Sequence, residues 1–159
     1  MILPHRMQPC LWFDNQAEEA MNFYVSIFKN SKKGIIARYS EVGPGEPGSV
    51  MTVTFELDGQ PFVALNGGPM FKFNEAVSFQ IYCKDQDEVD YYWSKLTDGG
   101  EESQCGWLKD KFGLSWQVVP QELLDMAVSE NGAHVKRMTE AMFTMKKLDI
   151  AALKAAYNG

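Results

Sequence analysis

Residues 10–28 read CLWFDNQAEEAMNFYVSIF, a stretch that changes hydrophobic period in its middle. Cys10 to Phe13 is a short apolar run of strand type. Behind it, Asn15-Gln16 leads into a segment where Ala20, Phe23, Tyr24, Ile27 and Phe28 recur at helical spacing. Strand followed by helix is therefore the opening unit. Asn30 and Gly34 break the helix; GIIARYSEV (34–42) and SVMTVTFEL (49–57) read as strands around a Gly/Pro loop; Asp58-Gly59 turns the latter into QPFVALN (60–66). The first half is βαβββ.

The same order returns downstream. Val77 to Cys83 is a second β-type run, and DQDEVDYYWSKL (85–96) repeats the helical pattern before Gly99-Gly100. Ala20, Phe23, Tyr24 and Ile27 moved along the chain by 69 positions land on Val89, Tyr92, Trp93 and Leu96. Strands at EESQC (101–105), GWLKD (106–110) and LSWQVVP (114–120) complete a second βαβββ, with Lys111-Phe112-Gly113 as a turn. After Pro120 the pattern is helical: QELLDMAVSE, HVKRMTEAMFTMKK and DIAALKAAYNG, with Asp149 placed to cap the last helix. Val135, Met138, Met142 and Met145 form one stripe, read as a tail helix packing on the sheet or on a dimer partner. The expectation is an α+β fold of two modules, about residues 6–70 and 75–120, whose curved mixed sheets enclose a cavity, with helical residues 121–159 completing one domain over 1–159.

Bulk properties narrow the function classes. With 159 residues, 45% of them hydrophobic, the chain can bury a core without disulfides. Fifteen basic against 21 acidic residues give a formal charge of -6, which disfavours nucleic acid and anionic membranes as partners. Apolar runs of about five residues fall far short of the roughly 20 that span a bilayer. Cys10, Cys83 and Cys105 are odd in number and widely spaced, the pattern of reduced thiols. These features, with no long apolar core in MILPHRMQPC, suggest a cytoplasmic protein.

PCLWFDNQAEEAMNFYVSIF, NGGPMFKFNEAVSFQIYC and QCGWLKDKFGLSWQVVPQEL, together with the tail ending KKLDIAALKAAYNG, give the chain a specific resemblance. It resembles the PhnB-like branch, often labelled 3-demethylubiquinone-9 3-methyltransferase, of the vicinal oxygen chelate superfamily of glyoxalases, bleomycin-resistance proteins and dihydroxybiphenyl dioxygenases. The resemblance implies paired βαβββ modules, a homodimer and a cavity for a small molecule. A fold of this kind hosts many activities.

Metal-using relatives place His, Glu or Gln on the first and last strands of each module. Period-two alternation puts Leu11 and Phe13 under the first helix and turns Gln8, Cys10 and Trp12 to the cavity. It likewise turns Ser78, Gln80 and Tyr82 inward and Phe79, Ile81 and Cys83 toward the second helix. Phe62, Ala64 and Asn66 are the inward set of QPFVALN, and Ser115, Gln117 and Val119 that of LSWQVV. Gln8, Ala64, Ser78 and Gln117 then occupy the ligand positions. Two amides, a hydroxyl and a methyl cannot offset the desolvation of a divalent ion, so no metal is expected. His5 and His134 read as solvated surface residues.

GPGEPG (43–48) matches G-x-G-x-x-G, but a β-branched alternating segment follows it where a nucleotide loop needs a helix. It reads as a mobile hairpin loop, which counts against the methyltransferase label, and no cofactor is expected. Trp12, Phe62, Asn66, Gln80, Tyr82 and Gln117 remain as an aromatic and amide lining suited to a flat or amphiphilic small molecule, or as plain core filling. Glu56, inward with Thr52 and Thr54, is the general-base candidate, its bland alternative being a solvated strand-edge carboxylate. Cys105 lacks a neighbouring histidine and reads as an inert thiol. The leading reading is a metal-free small-molecule binding protein; the alternative is an enzyme of lyase, isomerase or dioxygenase type.

Overall fold

A computed structural model describes residues 5–159, which divide into two compact units, residues 5–73 and 74–159. The first contains β1 (Cys10–Phe13), α1 (Ala17–Ile27), β2 (Ser31–Arg38), β3 (Val50–Leu57) and β4 (Gln60–Asn66). These strands form one sheet in the order β1-β4-β3-β2, parallel between β1 and β4 and antiparallel elsewhere. The second unit contains β5 (Ser78–Cys83), α2 (Gln86–Thr97), β6 (Glu101–Glu102), β7 (Trp107–Lys109) and β8 (Ser115–Pro120), followed by α3 (Gln121–Ala127), α4 (Gly132–Met142) and α5 (Ile150–Asn158). Its sheet runs β5-β8-β7-β6, again with only the first pair parallel. Identical strand order and pairing sense in both units confirm the repeated α+β module read from the two helical templates.

Each helix covers one face of its own sheet because its apolar residues fall on one stripe. Ala17, Ala20, Met21, Tyr24 and Ile27 of α1 are buried with Leu11, Phe13, Val53, Phe55 and Leu57. The Phe55 ring stacks on Tyr24 at 6.2 Å and on Phe62 at 5.4 Å between centroids. In the second unit Val89, Trp93 and Leu96 of α2 are buried with Ile81, Cys83, Leu108, Trp116 and Val118. Both indoles find acceptors for their N–H: Trp93 donates to Glu102 at 2.7 Å and Trp116 to Asp110 at 2.9 Å. Asp85 caps α2 through Glu88 N–H, whereas α1 lacks a side-chain cap of its own and takes one from β4, Asn66 Oδ1 accepting from Ala17 N–H at 2.8 Å.

Two local expectations need correction. Gly34 does not separate helix from strand; it lies inside β2, where the register against β3 shifts between Lys33 and Ile36. A Cβ there would lie 2.2 Å from Thr54 Oγ1, which instead accepts from Ile35 N–H, so the glycine serves a bulge. Phe62, Ala64 and Asn66 do not face away from α1 either. Phe62 pairs directly with Phe55 and Ala64 with Val53, and directly opposed residues of an antiparallel ladder share a face. That face is the one under α1, where Phe62 and Ala64 are buried.

The tail belongs to the second unit. Leu123, Met138, Leu148 and Leu153 form a buried cluster with Val119, and Met126, Met142, Met145 and Tyr157 pack around it. Polar straps fix the tail to the module. Gln86 of α2 donates to Leu148 O and accepts from Ile150 N–H, while Lys147 pairs with Asp90 at 2.7 Å. Cys105 and Gly106 N–H donate to the Met145 and Lys146 carbonyls. The methionine stripe therefore packs on its own module, and Asp149 caps α5 through Ala152 N–H.

Candidate functional site

The far face of each sheet, turned away from its own helix, carries the residues available for chemistry. In the second module the pairing registers set two rows across the strands: Glu101, Lys109, Ser115 and Ser78 in one, Trp107, Gln117 and Gln80 in the next. Strand alternation had assigned Ser78, Gln80, Tyr82, Ser115, Gln117 and Val119 to this face, and the pairing agrees: Ile81, Cys83, Trp116 and Val118 lie opposite, buried with α2. Four of these side chains form a one-way hydrogen-bond chain. Tyr82 OH donates to Gln80 Oε1 at 2.7 Å, Gln80 Nε2 to Gln117 Oε1 at 3.1 Å, and Gln117 Nε2 to Ser78 Oγ at 2.8 Å. Val119, on the same face, is covered by the tail cluster.

The first module is more apolar on its far face. Leu65 and Val63 lie beside Trp12 and Cys10, and Thr52, Thr54 and Glu56 face the same way. Trp12 is half-buried; its N–H donates to Gly68 O at 2.9 Å and its ring meets Phe71 edge-on at 5.0 Å. A Cβ on Gly67 would fall 2.4 Å from that indole, so glycine is what lets the backbone lie against it. Gln8 is exposed ahead of β1. Phe62 and Asn66 belong to the helix-covered face, so the ring lining expected from Phe62 is absent there, and Asn66 spends its amide on Ala17 N–H and Val50 O. Glu56 is ion-paired with Lys32 at 3.1 Å across β2 and β3, the arrangement of a strand-edge carboxylate.

A cleft of about 340 Å³ opens within the first module, lined by Asp14, Glu18, Tyr39, Gly45, Asn66 and Gly67 among others. The GPGEPG segment sits in the β2–β3 hairpin that forms one wall, pinned by the Gly48 N–H to Tyr39 O bond and leading into a strand. Gly45 presses on the Tyr39 ring, whose hydroxyl donates to Asn66 O at 2.5 Å. Among the described residues, the helix that a phosphate-cradling glycine loop must open does not follow this one. Asn66, expected to line a binding site, borders this cleft, whereas sequence reasoning missed the rest of its lining, for which the tyrosine flanking a Gly/Pro loop was a signal.

The metal question can be tested on donors. With β4 in its observed register, Pro61, Val63 and Leu65 replace Ala64 on the far face, and none offers a donor atom. Gln8, Ser78 and Gln117 contribute only neutral oxygens. Among the described residues no three His, Cys, Asp or Glu side chains gather as a metal site, so the donor set does not fit a divalent ion. His5 is exposed; His134, expected to be solvated, is half-buried and packs edge-on against Tyr157 at 4.9 Å. Cys10 is exposed, with its thiol pushed up by partial burial, Cys83 is buried and pushed up to about 12 by burial and then by Glu88 and Asp85, and Cys105 is half-buried.

Known proteins resemble the chain as follows. The family described as 3-demethylubiquinone-9 3-methyltransferase matches residues 5–119. A protein from Bacillus cereus, titled a putative 3-demethylubiquinone-9 3-methyltransferase, PhnB protein, is 37% identical with a TM-score of 0.67, covering 73% of this chain and 99% of its own. Protein PA1353 from Pseudomonas aeruginosa has 15% identity and a TM-score of 0.60 over 73% of this chain and 97% of its own. The fosfomycin resistance protein FosX from Listeria monocytogenes, complexed with Mn(II) and sulfate, has 12% identity and a TM-score of 0.51 over 75% of this chain and 91% of its own. The last two share the fold alone. No curated protein matches.

Proposed function

Since this chain belongs to the family described as 3-demethylubiquinone-9 3-methyltransferase, the PhnB-like branch of the vicinal oxygen chelate superfamily, we propose that it works as a small-molecule binding protein without a metal ion. The observation that carries this reading is the chain Tyr82, Gln80, Gln117, Ser78. Ser78 and Gln117, at positions where metal-using relatives place His, Glu or Gln, are a hydroxyl and an amide oriented by Gln80 and Tyr82. Side chains locked by mutual hydrogen bonds lose little freedom when a ligand arrives, which is the condition for orienting it. Ser78 keeps its hydroxyl hydrogen to donate, and each amide keeps a second N–H. Tyr82, 48% exposed, offers ring area beside them. The ligand class is flat or amphiphilic, gaining area from Trp107 and Tyr82 and orientation from the amides of the same module.

The methyltransferase description is a family name to which the glycine loop lends no support. FosX has been seen with Mn(II), but among the described residues of this chain no group of three His, Cys, Asp or Glu gathers to hold such an ion. We also propose a homodimer, on the resemblance; light scattering should give twice the 18.0 kDa chain mass, and a value at 18.0 kDa counts against it. The test of function is a thermal-shift screen of aromatic and amphiphilic compounds with and without chelator. A compound at a hundredfold excess over its dissociation constant should stabilise the chain by roughly 2.7 kcal/mol, unchanged by chelator and lost in Gln80→Ala. Metal-dependent turnover of a glyoxal-thiol adduct or a catechol would replace this reading with the enzyme one.

A further inference from the structure

Resting on the small-molecule reading above, we propose that the far face of the second module ends in a subsite for a primary ammonium group, formed by Ser115, Glu101 and Trp107. Ser115 is the starting point. It is 1% exposed, and its hydroxyl is a buried side-chain oxygen without a hydrogen-bond partner among the described residues. Leaving such a group unmet is destabilising, so it calls for a partner. Its register partners are Lys109 on β7 and Ser78 on β5, which place it on the far face, and it lines a pocket of about 120 Å³. Glu75, Glu101, Glu102, Ser103, Trp107 and Lys109 also line that pocket.

The charges choose the ligand's sign. Three carboxylates border the pocket against one ammonium. Lys109 is committed to Glu75 at 2.5 Å, and Glu102 accepts from Trp93 while keeping its charge. Glu101, opposite Lys109 in the ladder, remains an acceptor. An arriving anion would meet a net negative wall, whereas a cation completes it. Lys109 already shows the site favouring an ammonium: its pKa is raised by the hydrogen bond and charge of Glu75 and by Glu101, against desolvation.

Donor count and size choose the kind of cation. Beside carboxylates, which exclude an anionic acceptor, the buried hydroxyl is best met by an N–H, which a quaternary ammonium lacks. The pocket admits a head group and not a whole drug-sized ligand, for which pockets run from about 300 Å³ upward. A primary ammonium can give one N–H to Ser115 Oγ and another to Glu101, with the Trp107 ring supplying a cation–π wall. The ligand body would then run along the row toward Gln117, Gln80 and Tyr82.

The test is a nuclear magnetic resonance titration of the full chain, following the Trp107 indole N–H and the Ser115 amide at constant ionic strength. Methylammonium chloride should give saturable shifts that tetramethylammonium chloride and sodium acetate do not. Glu101→Gln should weaken methylammonium by about five-fold, the scale of one exposed ion pair. Ser115→Ala should also weaken it while leaving the melting temperature equal or higher, because an orphan hydroxyl is removed. Lys109→Gln should tighten binding, since a competing cation is gone and the Glu75 carboxylate it holds is freed. Equal shifts from tetramethylammonium, saturable shifts from acetate, loss of binding in Lys109→Gln, or indifference to Ser115→Ala would each overturn the subsite. A chain that binds compounds at Gln80 and Tyr82 but ignores methylammonium refutes the subsite alone. A chain that answers no compound of any kind refutes the small-molecule reading with it.

Discussion

Asn66 holds three elements together with one amide: its oxygen caps α1 at Ala17 N–H and its nitrogen donates to Val50 O at the start of β3. Asn66→Ala should therefore destabilise the chain by about 1–2 kcal/mol, the usual scale for a lost N-cap, measured by urea unfolding. An unchanged midpoint would show that water replaces both bonds. Reactivity is also decided at this scale. Cys83, pushed up to about 12, stays a thiol at pH 8 and is buried, so iodoacetamide should label exposed Cys10 first and leave Cys83 until unfolding. Mass spectrometry of tryptic peptides reads the order. Residue parity was legible for β5 and β8, where one alternating set is clearly the more apolar. In β4 both sets are apolar or neutral, Pro61, Val63 and Leu65 against Phe62 and Ala64, so alternation alone could not choose. The deciding information lay in the turn: Asp58-Gly59 pairs Leu57 with Gln60, which forces Phe62 opposite Phe55 and away from Glu56.

Among the elements, the tail helices stand apart, because the family match ends at residue 119 and α3 to α5 follow it. Their packing was legible as a stripe of Val135, Met138, Met142 and Met145, but the straps to Gln86 and Asp90 were not, since nothing local in sequence joins residues more than fifty positions apart. Leu153 is fully buried in the tail cluster, so Leu153→Ala should cost about 2–5 kcal/mol by thermal or urea unfolding. The strap adds a pH dependence. Hydrogen bonds from Lys147 and then Gln86 hold the Asp90 carboxyl below its ordinary range. A depressed carboxylate contributes stability above its unfolded value and loses it as pH falls through its folded one. The protection factor of the Ile150 amide, which donates to Gln86, its exchange rate divided into the intrinsic rate at the same pH, should fall on acidification through the aspartate range, and Asp90→Asn should remove that dependence. A loss of protection unchanged in the variant would assign it to another group.

At the scale of the whole molecule, a four-residue apolar template repeated after 69 positions was enough to announce two modules with the same strand order, 1-4-3-2 and 5-8-7-6. That worked because one helix can bury only one stripe against one sheet face, so equal stripes imply equal modules. The candidate site was less legible. Its amide row followed from alternation, but the orphan hydroxyl of Ser115 and the cleft beside Tyr39 depend on pairings and loops with no periodic signature. The metal-free reading rests on Gln8, Ser78 and Gln117, the far-face side chains at the expected ligand positions, offering only neutral oxygens. Metal content of the purified full chain, by native mass spectrometry before and after manganese addition, tests that most directly. The account predicts a chain mass with no stoichiometric divalent ion in either state; about one ion per chain, lost in Gln117→Ala, would contradict it.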